Sequence, residues 1–157
     1  MSKDIDIVIY GATGFTGQLC VKYFQSLDLD IKWAIAGRNL GKLENVASKF
    51  STNVEILVAD ADDEKGLKDI CSRSKVVLST AGPFHRYGSK LVATCIENDT
   101  HYVDITGENF WVKGLIEKHH KEAARKGIRI IPSCGFDSIP SDIGTFFAVR
   151  SSNKPVK

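Results

Sequence analysis

Ile5-Asp6-Ile7-Val8-Ile9-Tyr10-Gly11-Ala12-Thr13-Gly14-Phe15-Thr16-Gly17 is the stretch that decides how this chain folds. Five of its first six residues are apolar, as in a strand buried inside a parallel sheet. Three glycines spaced by two residues then interrupt the run, and Leu19 to Phe24 continue it with an apolar helical face. Strand, glycine turn and helix in that order build a nest for a dinucleotide. Gly11 takes the tight turn, Gly14 lets backbone N–H groups come close to a diphosphate, and Gly17 lets helix and strand pack together. The diphosphate would meet the positive end of the helix. Gly11, Ala12, Thr13, Gly14, Phe15, Thr16 and Gly17 are therefore candidate cofactor-binding residues.

Outward from this loop, apolar runs alternate with amphipathic segments. Strands are expected at Ile5–Tyr10, Ile31–Ala36, Val54–Ala59, Val76–Thr80, Tyr102–Ile105 and Ile128–Pro132. Asn39 can cap a helix carrying Leu40, Leu43, Val46, Ala47 and Phe50, and Asp62 or Asp63 can cap one burying Leu67, Ile70 and Cys71. Leu91, Val92, Cys95 and Ile96 mark a further helix stopped near Asn98. A long one runs from about Phe110 to Lys126 and ends at Gly127. The pattern predicts an α/β fold: a Rossmann-type doubly wound parallel sheet of about six strands in three layers. Residues 1–150 are expected to form the dinucleotide domain, with 151–157 beginning a linker after a helix that starts near Ser141.

The two edges of such a sheet differ in composition. Connections at the amino-terminal edge are plain: Ser26-Leu27-Asp28, Ser51-Thr52-Asn53, Ser72-Arg73-Ser74, Glu97-Asn98-Asp99. Those at the carboxyl edge hold glycine and reactive side chains: Gly37-Arg38, Asp60-Ala61-Asp62, Ala81-Gly82-Pro83-Phe84, Thr106-Gly107-Glu108, Cys134-Gly135-Phe136-Asp137. Ligands of open parallel sheets bind outside the carboxyl ends of the strands.

The second strand ends in Ala36-Gly37-Arg38, where an NAD site usually carries Asp or Glu for the ribose hydroxyls. No carboxylate stands there to repel a 2′-phosphate, and a guanidinium binds phosphate through two parallel bonds. NADP(H) is expected in preference to NAD(H). Asp60 can meet the adenine side or serve a helix start, and Ala81-Gly82-Pro83 is small enough for the cofactor's second half to pass.

With 157 residues, 43% hydrophobic and 25% charged, the chain has the balance of one globular domain. Its net charge of +2 is scattered rather than gathered in a stripe, which argues against nucleic acid as a partner. No apolar run approaches the ~20 residues of a membrane span. No signal peptide is expected before the first strand. Cys20, Cys71, Cys95 and Cys134 lack C-x-x-C spacing, so neither a zinc site nor a disulfide scaffold is expected. An intracellular location, cytoplasmic by default, fits such thiols.

Further motifs narrow the reading. Ser79-Thr80-Ala81-Gly82-Pro83-Phe84 with Tyr87-Gly88, then Tyr102-Val103-Asp104-Ile105-Thr106-Gly107-Glu108, then Gly135-Phe136-Asp137-Ser138-Ile139-Pro140-Ser141-Asp142 join the glycine loop and Ala36-Gly37-Arg38. Together they resemble the saccharopine dehydrogenase-like oxidoreductases from about Ile5 to Val149. The resemblance implies hydride transfer to or from a small-molecule substrate of imine, amino-acid or enoyl type. It also implies a larger carboxyl-terminal domain, absent from this chain, that shapes the substrate site and provides a homodimer contact; the present stretch alone would bind cofactor without turnover. The G-x-x-G-x-x-G spacing, in place of the G-x-G-x-x-G of saccharopine reductases proper, points to the branch that includes enoyl reductases acting on lipid precursors.

Glu108, Asp104 and Asp137 are the candidate catalytic residues, because a carboxylate desolvated at this edge could serve as general acid or base. Loop or helix capping is the competing role for Asp104 and Asp137. Cys134 before Gly135 is similarly placed to the nucleophile of N-acetylglutamyl-phosphate-type reductases, which gives an acyl-phosphate or semialdehyde reductase as an alternative. A non-enzymatic NADPH sensor is another. The Tyr-x-x-x-Lys of short-chain dehydrogenases is missing; Tyr87-Gly88-Ser89-Lys90 is one residue short. His119-His120 are expected on a solvated helix face, and no metal site is expected.

Overall fold

The computed structural model describes residues 3–27, 30–51 and 53–152. Six strands, β1 (Ile5–Tyr10), β2 (Trp33–Gly37), β3 (Glu55–Val58), β4 (Ser74–Ser79), β5 (His101–Asp104) and β6 (Ile130–Ile131), form one sheet. Helices α1 (Phe15–Ser26), α2 (Leu40–Lys49), α3 (Glu64–Arg73), α4 (Phe84–Glu97), α5 (Asn109–Lys126) and α6 (Ile139–Ser151) follow the strands in turn. All pairings are parallel, and the strand order is β3-β2-β1-β4-β5-β6. The chain winds outward from β1 to β3 and returns to β4, which makes the β1–β4 boundary the switch point.

Alternation along the strands splits the core in two. Ile9 and Ile35 face α1 and α2 and pack with Val21, Leu43 and Val46. Val8, Tyr10, Ala34, Ala36, Val77 and Tyr102 face the other way, onto Leu67, Leu91, Val92, Cys95 and Trp111 of α3, α4 and α5. Each large apolar side chain so buried stabilises the fold by about 1.5–3 kcal/mol. Asn39 caps α2 by accepting from Lys42 N at 2.9 Å, and Asp63, not Asp62, caps α3 by accepting from Gly66 N at 3.0 Å. Gly127 closes α5 in the left-handed conformation at φ 69°.

Three expectations about local structure need correction. Ser72-Arg73-Ser74 is no loop: α3 runs through Arg73 and β4 begins at Ser74. Arg73 is held by Asp4 and Glu55, both at 2.7 Å, and the buried Ser74 hydroxyl donates to the Ile70 carbonyl at 2.8 Å. Strand β6 is shortened to the two residues that pair with β5, Ile130 opposite Tyr102 and Ile131 opposite Val103. His119 is half-buried rather than solvated; with His120 it lines an apolar groove between α5 and β6. Burial holds the His119 imidazole below its ordinary pKa.

Helix α6 starts at Ile139, two residues earlier than expected, and buries none of its residues. Ile139, Ile143, Phe146, Phe147 and Val149 are all exposed. The expected linker lies in part, at residues 153–157, outside the described residues. Among the described residues no helix is long and apolar enough to cross a membrane.

Candidate cofactor site

A cavity of about 400 Å³ opens at the carboxyl ends of β1 and β4. Tyr10, Gly11, Thr13 and Gly14 form one wall; Gly37, Arg38, Asp60 and Ala61 form the second; Thr80, Ala81, Gly82, Pro83 and Tyr87 complete it. The switch point of the sheet thus carries the hollow that its topology predicts.

The glycine loop is dictated by space. Gly11 adopts φ +86°, and a Cβ there would lie 2.9 Å from the Ala81 nitrogen. A Cβ on Gly17 would come within 2.2 Å of the Gly11 carbonyl oxygen, so only glycine lets α1 approach β1 this closely. The Thr80 hydroxyl donates to the carbonyls of Tyr10 and Gly11, at 3.2 and 3.1 Å, and pins the turn to β4. Gly14 is the N-cap of α1 and no side chain caps that helix. Its first-turn N–H groups therefore point at the loop without a side-chain acceptor, and the helix begins with no acid in its first turn. A diphosphate fits this nest of amides and helix end. Phe15 is 84% exposed beside it.

Arg38 follows β2 and lines the cavity. Its guanidinium forms no hydrogen bond or ion pair with any of the described residues, although it interacts electrostatically with Tyr10. Unpaired and exposed at the rim, it suits a phosphate ligand. Asp60 also lines the cavity, while its carboxylate accepts from Asp62 N at 3.3 Å. Tyr10 is buried, and burial first and the nearby Asp60 second push its phenol up to about 12.

The three candidate catalytic carboxylates occupy different surroundings. Asp104 is 1% exposed and accepts three bonds: from Tyr102 Oη at 2.8 Å, Thr106 N at 3.0 Å and Ser133 N at 3.0 Å. It ties β5 to the loop after β6, with Ser133 in the left-handed region at φ 60°. Burial raises its pKa in spite of those donors. Burial and Asp104 together also hold the Tyr102 phenol well above its ordinary value.

Glu108 accepts from Phe84 N at 2.8 Å, His85 N at 2.9 Å and His85 Nδ1 at 2.6 Å. It supplies from another loop the cap that Pro83 cannot give α4. Burial pushes its carboxyl up, but the bonds from His85 and Phe84 outweigh this and hold it below its ordinary value. Asp137, after β6, is exposed and accepts no hydrogen bond from the described residues. Cys134 stands three residues before it in the chain, its thiol directed to the Ile131 carbonyl at 3.2 Å. Burial and the charge of Asp104 both raise the Cys134 thiol, the opposite of what an activated nucleophile needs.

His85 was not among the sequence candidates, since nothing in its spacing connects it to Glu108, 23 residues on. Thr80 and Tyr87 stand within the resemblance motifs, but no periodicity marks them as walls of the cavity.

Comparison with known proteins agrees with this fold. The profile of the saccharopine dehydrogenase NADP binding domain matches residues 7–131. A trans-acting enoyl reductase of Mycobacterium leprae is 42% identical over 151 residues, which are 94% of this chain and 36% of the relative. One of Mycobacterium tuberculosis is 40% identical over 153 residues, 96% of this chain and 37% of the relative. The chain thus spans about a third of the length of these curated relatives. The solved apo structure of saccharopine dehydrogenase (L-Glu forming) from Saccharomyces cerevisiae superposes with a TM-score of 0.77 at 18% identity, covering 93% of this chain and 31% of that one. At that identity the likeness concerns the fold. The matched profile takes in five of the six helices, β6 and all but the first two residues of β1, so the chain belongs to the saccharopine dehydrogenase NADP binding domain family.

Proposed function

We propose that the protein uses NADPH to reduce a carbon–carbon double bond of an enoyl substrate. The single observation that carries this reading is the cavity at the switch point, walled by open amides on one side and an unpaired guanidinium on the other. The 42% identity to a trans-acting enoyl reductase favours enoyl over imine. Phe15, Phe110 and Phe136, 84%, 70% and 90% exposed on segments that follow β1, β5 and β6, also suit an apolar substrate.

NADPH supplies the hydride when bound. Thr13, Phe15, Thr16 and Gly17 offer its diphosphate their backbone N–H groups at the α1 end, while Gly11, Ala12 and Gly14, whose N–H groups donate to the Ala36 and Gly11 carbonyls, shape the turn that cradles it. Arg38 takes the 2′-phosphate, Asp60 faces the adenosine half, and Ala81-Gly82-Pro83 leave room for the other half. Asp104 and Glu108 act as positioning residues, the first bracing the end of β5 and the second fixing the start of α4. Asp137, exposed and with oxygens not engaged by the described residues, is the candidate carboxylate left free to contact the substrate. The uncovered apolar face of α6 is the proposed contact for the second domain that the family resemblance implies.

Calorimetry with NADPH and NADH tests the cofactor half: tighter binding of NADPH is expected, and no heat with either coenzyme would sink the proposal. In a protein that carries the second domain as well, loss of NADPH absorbance with α,β-unsaturated thioesters but not with imines tests the substrate half. Turnover of imines alone would reverse it.

A further inference from the structure

Beside the main cavity lies a second hollow of about 340 Å³, between α1 and α2, lined by Thr13, Gln18, Lys42, Asn45, Val46 and Lys49. Thr13 belongs to the walls of both. Two of these six residues are lysines and none is a carboxylate. Lys49 is already engaged: its Nζ donates to Gln18 Oε1 at 2.9 Å, and Gln18 Nε2 donates to the Thr13 carbonyl at 3.1 Å. That chain of bonds fixes the loop carbonyl and spends one ammonium on structure.

Lys42 is different. Its backbone N–H is taken by the Asn39 cap, but its side chain makes no hydrogen bond or ion pair with the described residues. It stands four positions after Arg38, whose guanidinium also has no ion pair among the described residues. The two bracket Thr13, one from each hollow. The sole carboxylate among all the lining residues, Asp60, comes from the end of β3 and bonds its own turn.

We infer that Lys42 is a second determinant of cofactor choice, its ammonium sharing the 2′-phosphate of NADP(H) with the Arg38 guanidinium. The inference rests on the Arg38 reading above and adds a residue that reading does not use. A phosphate monoester carries about −1.5 to −2 charges near neutral pH, so one guanidinium leaves it partly uncompensated. Arginine contributes a directional fork and lysine a mobile point charge, a division of labour that suits one partner before the helix and one inside its first turn.

The test is equilibrium binding of NADPH, NADH, 2′,5′-ADP and 5′-ADP to the parent protein and to Lys42→Gln, Lys42→Arg and Lys118→Gln. Glutamine is a good helix former and position 42 is exposed, so the variant keeps the fold. Lys42→Gln is expected to weaken NADPH and 2′,5′-ADP about ten-fold, the scale of one charged hydrogen bond, with NADH and 5′-ADP within about two-fold. Lys42→Arg should retain the preference. Lys118→Gln, the same charge change on α5, should leave it untouched. An unchanged NADPH-to-NADH ratio in Lys42→Gln overturns the inference, and so does equal weakening of both coenzymes. A parent protein that does not distinguish 2′,5′-ADP from 5′-ADP overturns the Arg38 reading instead, which keeps the two failures apart.

Discussion

Along the amino-terminal edge of the sheet Lys3, Arg73 and Lys75 are tied to the protein's own acceptors, whereas along the carboxyl edge two cations that line the hollows, Arg38 and Lys42, have no partner among the described residues. Lys3 Nζ donates to the carbonyls of Cys71, Ser74 and Asn98, at 3.2, 2.7 and 2.9 Å, and to the Thr100 hydroxyl. Arg73 bridges Asp4 and Glu55, and Lys75 meets Asp6 at 2.6 Å. At the opposite edge Arg38 and Lys42 have no such partner, α1 begins without a side-chain cap, and Asp137 is unengaged. Charged groups held by the protein's own partners brace the sheet, whereas solvated ones that line a cavity are free to meet a ligand. The contrast separates residues that hold the sheet together from residues that hold something else.

The most severe way to break that contrast is to close the carboxyl edge. Gly17→Ala drives a methyl group into backbone 2.2 Å away, so either α1 must retreat or the turn must open. A loss of about 3 kcal/mol in stability is expected, the upper range for overpacking against groups that cannot move aside. Chemical unfolding would report it, together with loss of NADPH binding. A stable variant that still binds NADPH would show that the α1–β1 approach does not shape the site.

Two arginine substitutions sharpen the comparison directly, one at each edge. Arg38→Ala should weaken NADPH by about ten- to a hundred-fold with NADH nearly unchanged. Its unfolding free energy should stay within about 0.5 kcal/mol of the parent, as for any surface residue without partners. Arg73→Ala should do the reverse: about 1 kcal/mol less stability, since it removes a two-carboxylate network, and unaltered coenzyme affinity. Parallel unfolding and binding measurements decide the matter. If Arg73→Ala lowered affinity as much as Arg38→Ala, the division between edges would collapse.

How much of this was legible beforehand depends on whether the signal is local. The glycine loop reads cleanly because turn, nest and close packing are all satisfied within seven residues, and β1 and α1 flank it in the chain. Asn39 as the cap of α2 and Gly127 as the end of α5 are local in the same sense. The start of α4 is not: its cap arrives from Glu108, 24 residues from Phe84, and Gly82-Pro83 alone reads only as a turn. The α3–β4 junction failed for a similar reason. Ser-Arg-Ser has the composition of a loop until Asp4 and Glu55, distant in sequence, seize the arginine. Asp104 and Glu108 were identified as carboxylates at the right edge. Their tertiary donors come from the loop after β6 and from α4 and have no trace in the local pattern.

Those two carboxylates offer the finest probe of the carboxyl edge, through the pH dependence of stability. Glu108 is held below its ordinary value, 4.5, so its contribution is complete above that value and is lost as pH falls through the lowered one. Asp104 is raised above 3.8, so its contribution is complete below that value and is lost as pH rises through the raised one. In the acid range the two oppose each other. Glu108→Gln should cost about 1 kcal/mol near neutrality, as loss of a helix cap does, and should flatten the fall in stability on acidification. Asp104→Asn should remove the opposing slope and make that fall steeper. Urea unfolding at intervals between about pH 3 and 7 would resolve both, because the sign of the change in slope differs between the variants. The same sign in both would mean that the cap on α4 and the brace at the end of β5 respond to protons as one unit, and the carboxyl edge would then be a single network rather than two supports flanking a ligand site.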